Sequence, residues 1–347
     1  MIKLTRRKFN SAMSKGIGGA LLFSGSPLLY GKTLNGNQDK KLGVALVGLG
    51  GYSTYQLAPA LLETSFCKLT GIVTGTPEKE SIWAEKYGIP KKNIYNYDNF
   101  DAIKDNDEID IVYVVLPNAM HAEFSIRAAK AGKHVICEKP MAINVAECDA
   151  IIKACDEAGV KLGIGYRLHS EPYTQEVKRI VKEKVYGDIL YVNAEAAYNS
   201  RGNPEQWRLN KKLAGGGALM NMGVYSIQSA IYGTGQNPIS VVAQEFSTRP
   251  DYFKDTDETI TAQLELNPAN NYGPLHGRTS DGKEINFLHE RQQKLQMDDF
   301  AKHILQGTTN LAPGEMGKRD MIIVEAIYKS IAEGGKKIPL NLSHMVL

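Results

Sequence analysis

Four short unbroken apolar runs divide the front of the chain: LGVALVGLG from Leu42, FCKLTGIVT from Phe66, IDIVYVVLP from Ile109 and HVICEKP from His134. The stretches between them, residues 56–63, 77–87 and 120–131, mix polar and apolar positions at helical spacing. A helix over 145–158 and the run VKLGIGY add one more unit of the same kind. Strands that are apolar on both faces and alternate with helices predict a parallel sheet covered on both sides. This is a doubly wound α/β domain over residues 42–165.

Beyond residue 165 the rhythm changes. A helix over 172–184 leads into ILYVNAEAAY, a loop with QWRL, and a further helix after Gly215–Gly217. The runs ISVVAQEFS and ETITAQLEL then alternate as strands with one solvated face do. Two helices, within MDDFAKHILQG and GKRDMIIVEAIYKSIAEGG, close a second domain over 166–347.

A formal net charge of +3 in 347 residues, with 43% hydrophobic and 23% charged content, is ordinary for a globular protein. No basic stripe points to nucleic acid, and none is expected as a partner. The N-terminus is different. Thr5-Arg6-Arg7-Lys8-Phe9 precedes a short, Gly-broken apolar run, which reads as a twin-arginine export signal over residues 1–31. Export to the periplasm is the expectation, with a retained anchor as the alternative because SPLLYGK lacks a small-x-small cleavage pattern. Residues 32–41 form a short polar arm. Cys148 and Cys155 fall seven positions apart on one predicted helix, roughly 10 Å along its axis and beyond disulfide reach. Cys67 and Cys137 adjoin apolar strands and read as buried hydrophobes. No cysteine spacing suggests zinc, and no metal is expected.

Gly48-Leu49-Gly50-Gly51-Tyr52-Ser53 follows the first strand and opens the first helix. This G-x-G-x-x-G variant, with Ser53 in the last place, suits a pyrophosphate at a helix N-terminus. At the tip of the second strand, where NAD sites usually place a carboxylate, the chain has Thr74, Thr76 and Lys79. Two hydroxyls and an ammonium accept a ribose 2′-phosphate, so NADP is expected over NAD, with Glu78 as the nearby contrary charge.

The stretches GLGGY, LPNAMHAEF, AGKHVICEKPMA, GYRLHSEP, QWRL, LAGGGALMNMGVYSIQ and PGEMGKRD resemble the glucose-fructose oxidoreductase / inositol dehydrogenase (Gfo/Idh/MocA) family, most of all its glucose-fructose oxidoreductase branch. The resemblance runs from about residue 43 to the end. It implies a Rossmann domain, a C-terminal α/β domain on an open, mostly antiparallel sheet, and oxidation or reduction of sugars and polyols. It also implies a homo-oligomer, and in the exported branch export with NADP already bound. Lys139 of the E-K-P motif is implied beside the nicotinamide, hydrogen-bonding the reacting hydroxyl, with Glu138 helping to place the nicotinamide. Pro140 fixes the preceding lysine, in a cis bond where the family pattern holds. Tyr225 matches the proton donor/acceptor, and Asn221, four residues earlier, stands where the family usually has Asp. Leu116, Pro117, Asn118 and His121 fall on a loop implied to run along the cofactor. Taken as structure alone, Asn118 is a helix N-cap and His121 a packing residue. Arg167, Trp207 and Arg208 match positions lining cofactor and substrate. His169 is left without a role.

Two departures bear on function. The branch's long proline-rich arm is absent, which weakens permanent cofactor retention. After ETITAQLEL the chain enters the Asn/Pro/Gly-rich NPANNYGPLHGRTSDGKEINF, so the sheet is expected to lack roughly two strands. The resulting expectation is an exported NADP-dependent sugar oxidoreductase with Lys139 and Tyr225 handling protons, and possible use of a second sugar as acceptor. Its rivals are an NAD-dependent, redox-assisted glycosidase and a non-catalytic NADP- or sugar-binding relative.

Overall fold

A computed structural model of the chain describes residues 41–265 and 290–345. The expected export signal, most of the polar arm and the Asn/Pro/Gly-rich stretch, with the strand shortage inferred from it, lie outside the described residues.

Six strands form a parallel sheet: β1 (Leu42–Val47), β2 (Cys67–Val73), β3 (Ile94–Tyr95), β4 (Ile111–Val114), β5 (His134–Cys137) and β6 (Leu162–Ile164), in the order β3-β2-β1-β4-β5-β6. That is the doubly wound order of dinucleotide-binding domains, reversing direction between β1 and β4. Every residue of β1 and of β4 is buried, as their unbroken apolar sequence requires. Gly43 lets β1 pass its neighbour, since a Cβ there would lie 1.8 Å from the Glu108 carbonyl oxygen. The two-residue β3 was not foreseen in the sequence, because NIYNY is too short and too polar to read as a strand.

The crossover helices are α1 (Ala58–Glu63), α2 (Pro77–Tyr87), α3 (His121–Lys130) and α4 (Val145–Ala158). α4 shows both end signals: the Asn144 side chain accepts from Glu147 N–H, and Gly159 ends the helix at φ 65°. Ahead of α1, Ser53–Leu57 winds as a π-helix, so helical structure starts several residues before the expected residue 56.

The C-terminal part contains α5 (Pro172–Lys182), α6 (Lys211–Ala214), α7 (Val224–Thr234), α8 (Gln292–Gln306) and α9 (Gly314–Ala332). Its described sheet has three antiparallel strands, β7 (Ser240–Phe246) between β8 (Thr259–Glu265) and β9 (Ile338–Pro339). Residues 189–198, the alternating ILYVNAEAAY run, join neither sheet. α8 and α9 return to the first domain. The Asp298 carboxylate on α8 accepts from Ser65 and Phe66 N–H at 3.0 and 2.9 Å, ahead of β2. On the same helix Phe300 fills the space that Gly163 of β6 leaves open, 2.8 Å from where a Cβ would sit. All four cysteines are free and buried, which removes any disulfide among them. Among the described residues no helix is long and apolar enough to cross a membrane.

Candidate active site

The expected site residues gather at the carboxyl ends of β1, β4 and β5. Gly48 takes φ 95°, and a Cβ there would lie 2.4 Å from the Val115 carbonyl oxygen, so the turn requires glycine on both counts. Ser53, where the motif has its third glycine, is buried and closes the turn by donating to the Gly48 carbonyl at 2.6 Å. Gly50 and Gly51 are exposed, and a Cβ added at Gly50 would meet nothing within 4 Å. The turn therefore offers bare backbone at the start of a helix, which fits a pyrophosphate.

Lys79 reaches back across this turn and donates to the Leu49 carbonyl at 2.9 Å. Its ammonium thus sits at the rim of the turn, with Thr76 exposed beside it. Thr74 is buried, and its hydroxyl accepts from the Thr76 N–H at 3.2 Å, which shapes the β2 tip. Two of the three residues expected to hold a 2′-phosphate are therefore at the surface of the turn. Thr74 acts from beneath by holding Thr76.

The loop after β4 departs from the structural reading at Asn118. Asn118 caps no helix: it is buried and its amide donates to the Ala214 carbonyl at 2.7 Å, fastening this loop to the end of α6. His121 takes the packing role that the structural reading gave it. It is 1% exposed, and its two ring nitrogens lie 2.8 and 2.9 Å from the carbonyls of Pro140 and Leu116. Both ring nitrogens face backbone carbonyls, and the neutral ring donates to one of them. Burial pushes its pKa down. Leu116 packs beside Gly48 and Pro117 is half-buried, so backbone of this loop flanks the glycine turn.

Lys139 emerges from β5 with a cis bond to Pro140. Its Nζ donates to the Asn221 backbone carbonyl at 2.6 Å and lies 4.7 Å from the centre of the Tyr225 ring. Asn221 belongs to a π-helical segment, Leu219–Gly223, that leads into α7. Such a turn departs from i→i−4 bonding, and the Asn221 carbonyl serves the lysine. The Asn221 backbone meets Lys139, and its side-chain amide donates to the Tyr198 hydroxyl at 2.8 Å. The start of this helix is fixed by Asp257, which accepts from Gly217 and Leu219 N–H at 2.6 and 2.8 Å and from the Tyr328 hydroxyl at 2.8 Å.

The charges explain why Lys139 is unusual. Burial lowers its pKa to about 8; Arg208 and Arg167 push the same way, against the opposing pull of Glu138. Tyr225 moves upward, chiefly by burial and then by Glu138, although Arg167 hydrogen-bonds it and pulls down. Glu138 is itself buried, which raises its pKa. It accepts from the Tyr113 hydroxyl at 2.7 Å, and a Cβ at Gly165 would lie 2.6 Å from its carboxylate. Arg167 lies 5.7 Å from the Tyr225 ring centre, and Arg208 stacks on Trp207 at 4.4 Å. His169 is apart from this group: it is buried, with Gln228 at 2.6 Å and Lys178 at 2.7 Å on its two nitrogens.

Sequence reasoning missed the floor of the site. Beneath Tyr52 and Glu138, Gln293 of α8 reaches the Tyr52 hydroxyl at 3.5 Å, and Gln296 donates to the Tyr113 hydroxyl at 2.9 Å. Tyr113 is the one polar-capable residue in IVYVV, a usable signal; the glutamines carry none, because their partners are some 180 or more residues away.

These observations define a Rossmann oxidoreductase whose site lies between the two parts of the chain. Residues 42–166 match the model for an oxidoreductase family with an NAD-binding Rossmann fold, and residues 174–269 match the C-terminal domain of the same family. The chain is 35% identical to a solved aldose-aldose oxidoreductase from Caulobacter crescentus, covering 87% of this chain and 100% of that one at a TM-score of 0.77. It is 26% identical over 332 residues to an NADP(+) D-xylose 1-dehydrogenase of Haloarcula marismortui, 84% of this chain and 91% of the relative. A levoglucosan dehydrogenase solved with NADH and levoglucosan shares the fold at 20% identity, covering 86% of this chain and 99% of that one, with a TM-score of 0.68. The chain belongs to the Gfo/Idh/MocA oxidoreductase family. It is accordingly an NAD(P)-dependent oxidoreductase.

Proposed function

We propose that this chain is an NADP-dependent oxidoreductase acting on a CH–OH group of an aldose or polyol. The observation that carries the reading is Lys139, with its Nζ 2.6 Å from the Asn221 carbonyl and 4.7 Å from the Tyr225 ring centre, at the carboxyl edge of a doubly wound sheet. The names of the relatives, an NADP(+) xylose dehydrogenase and an aldose-aldose oxidoreductase, support a sugar substrate and this cofactor.

Gly48, Gly50, Gly51 and Tyr52 would hold the pyrophosphate side of the dinucleotide, and Thr76 and Lys79 its 2′-phosphate. The bound nicotinamide supplies hydride acceptance and donation. Lys139 hydrogen-bonds the reacting hydroxyl. With a pKa of about 8 it is partly neutral near physiological pH and can accept the hydroxyl proton as the carbon is oxidised. Tyr225, held protonated by its raised pKa, donates a hydrogen bond to the same oxygen, and in the reverse direction the protonated Lys139 returns the proton. Arg167 orients the phenol. Glu138 offsets the cations around Lys139.

Export through the twin-arginine route and reoxidation by a second sugar complete the proposal. Outside the cytoplasm no nicotinamide pool exists to exchange with, so a retained cofactor would need one sugar to reduce it and another to reoxidise it. Incubating the purified protein with NADP(+) and an aldose series tests the reading. Formation of reduced nicotinamide with at least one aldose is expected; a protein that binds NADP(+) and reduces it with none overturns it.

A further inference from the structure

Tyr198 and Asn221 form a pair to which the hydride-transfer scheme gives no task. The Asn221 amide donates to the Tyr198 hydroxyl at 2.8 Å, while the Asn221 backbone carbonyl receives Lys139 Nζ at 2.6 Å. One residue therefore links the lysine of the site to a tyrosine on the irregular 189–198 run. Tyr198 is 57% exposed, and its phenol lies near enough to Arg208 to act on that charge. Arg208 in turn acts on Lys139. Tyr198, Arg208 and Lys139 thus lie in one neighbourhood, of which the exposed Tyr198 phenol faces solvent.

A phenol has one proton and can also accept. Where the neighbour is an amide N–H, the phenol oxygen accepts and its own proton is left for a second partner. Where the neighbour is a carboxylate, the phenol must donate, and that proton is consumed within the protein. Asn at 221 thus keeps the Tyr198 proton available, which Asp would not.

We propose that Tyr198 is a substrate-positioning residue that donates a hydrogen bond to an oxygen of the sugar away from the reacting carbon, and that the Asn221 amide orients it for that purpose. The inference rests on the sugar reading above and deepens it. Losing a donor from a site built to bond a hydroxyl raises KM, and a residue that bonds ground and transition states alike leaves kcat largely in place.

The test uses the holoenzyme with NADP(+) and the best aldose found for the wild type. Tyr198→Phe is expected to raise KM by about tenfold while kcat changes by less than about threefold. Asn221→Asp, with Tyr198 intact, is expected to raise KM similarly. The double variant should be no worse than either single one, because the two share one interaction. Asn221→Asp also adds charge beside Lys139, so KM is read on the plateau of each variant's pH profile. NADP(+) affinity, followed by protein fluorescence, should stay within about twofold and reports that each variant is folded. An unchanged KM in Tyr198→Phe, or penalties that simply add in the double variant, overturns the inference alone. A wild type that turns over no aldose overturns the sugar reading and this inference with it.

Discussion

At the scale of single residues, the surroundings of Lys139 work against its charge, which suits the proton-accepting role proposed for it. Burial, Arg208 and Arg167 all disfavour the ammonium, and only Glu138 favours it. Oxidation of substrate should therefore rise as pH climbs through about 8, as the neutral amine becomes the populated form. A flat profile between pH 6 and 10, measured with NADP(+) saturating, contradicts the assignment. Replacing Lys139 with Ala should lower kcat by roughly 10²- to 10⁴-fold while leaving NADP(+) binding in place. The same shift has a stability consequence. The folded pKa lies below the unfolded one, so the cost of burying the ammonium is present below pH 8 and is relieved as pH rises toward the unfolded value.

His169 gives a second residue-scale prediction. Burial, and then the charge of Lys178, lower its pKa to about 3 from an ordinary 6.5. Between those values the unfolded chain binds a proton that the folded chain refuses, so stability falls as pH drops through this window by up to about 1.4 kcal/mol per pH unit. His169→Gln should flatten that slope relative to wild type in urea titrations at pH 4, 5 and 6. An unaltered slope would show that the imidazole takes its proton in the folded state.

At the scale of elements, the glycine turn separates folding from binding. Gly48→Ala forces a Cβ to 2.4 Å from a backbone oxygen at positive φ, and should destabilise the protein by several kcal/mol, on the order of 3. Gly50→Ala meets no protein atom within 4 Å, so its melting temperature should stay put while NADP(+) affinity falls. A Gly50→Ala protein that binds NADP(+) normally would place the pyrophosphate elsewhere. The long apolar strands and capped helices were legible because their signals are local: period, Asn144 at an N-terminus, Gly159 at a C-terminus. β3 was not, since two paired residues leave no periodicity to read. The π-helical turns at Ser53–Leu57 and Leu219–Gly223 were not legible either. They differ from α-helix by one residue of hydrogen-bond register, and tertiary packing decides that register.

At the scale of the whole molecule, the candidate site draws on segments far apart in the described chain. β5 supplies Lys139, the π-turn before α7 supplies Asn221, and α8 supplies the glutamines under Tyr52 and Tyr113. The motif residues were legible as chemistry, since a Gly-rich turn and an E-K-P strand tip carry their own logic. The brace made by His121 was not, because its carbonyl partners depend on how Pro140 and Leu116 come together. The twin-arginine pattern adds a cellular expectation: the full chain fused to a reporter should appear outside the cytoplasm, and Arg6→Lys with Arg7→Lys should hold it inside.

The measurement that bears most directly on the central claim is made on the protein as purified, with no cofactor added. The protein is denatured to identify any released nicotinamide, and in parallel the intact sample, supplemented with NADP(+) if empty, is given aldoses while reduced nicotinamide is followed by absorbance. The account predicts NADP, carried or readily bound, that becomes reduced when an aldose is added, and that is reduced at least about a hundredfold more slowly in Lys139→Ala. Cofactor that no aldose or polyol reduces, or reduction at an undiminished rate in Lys139→Ala, would contradict it.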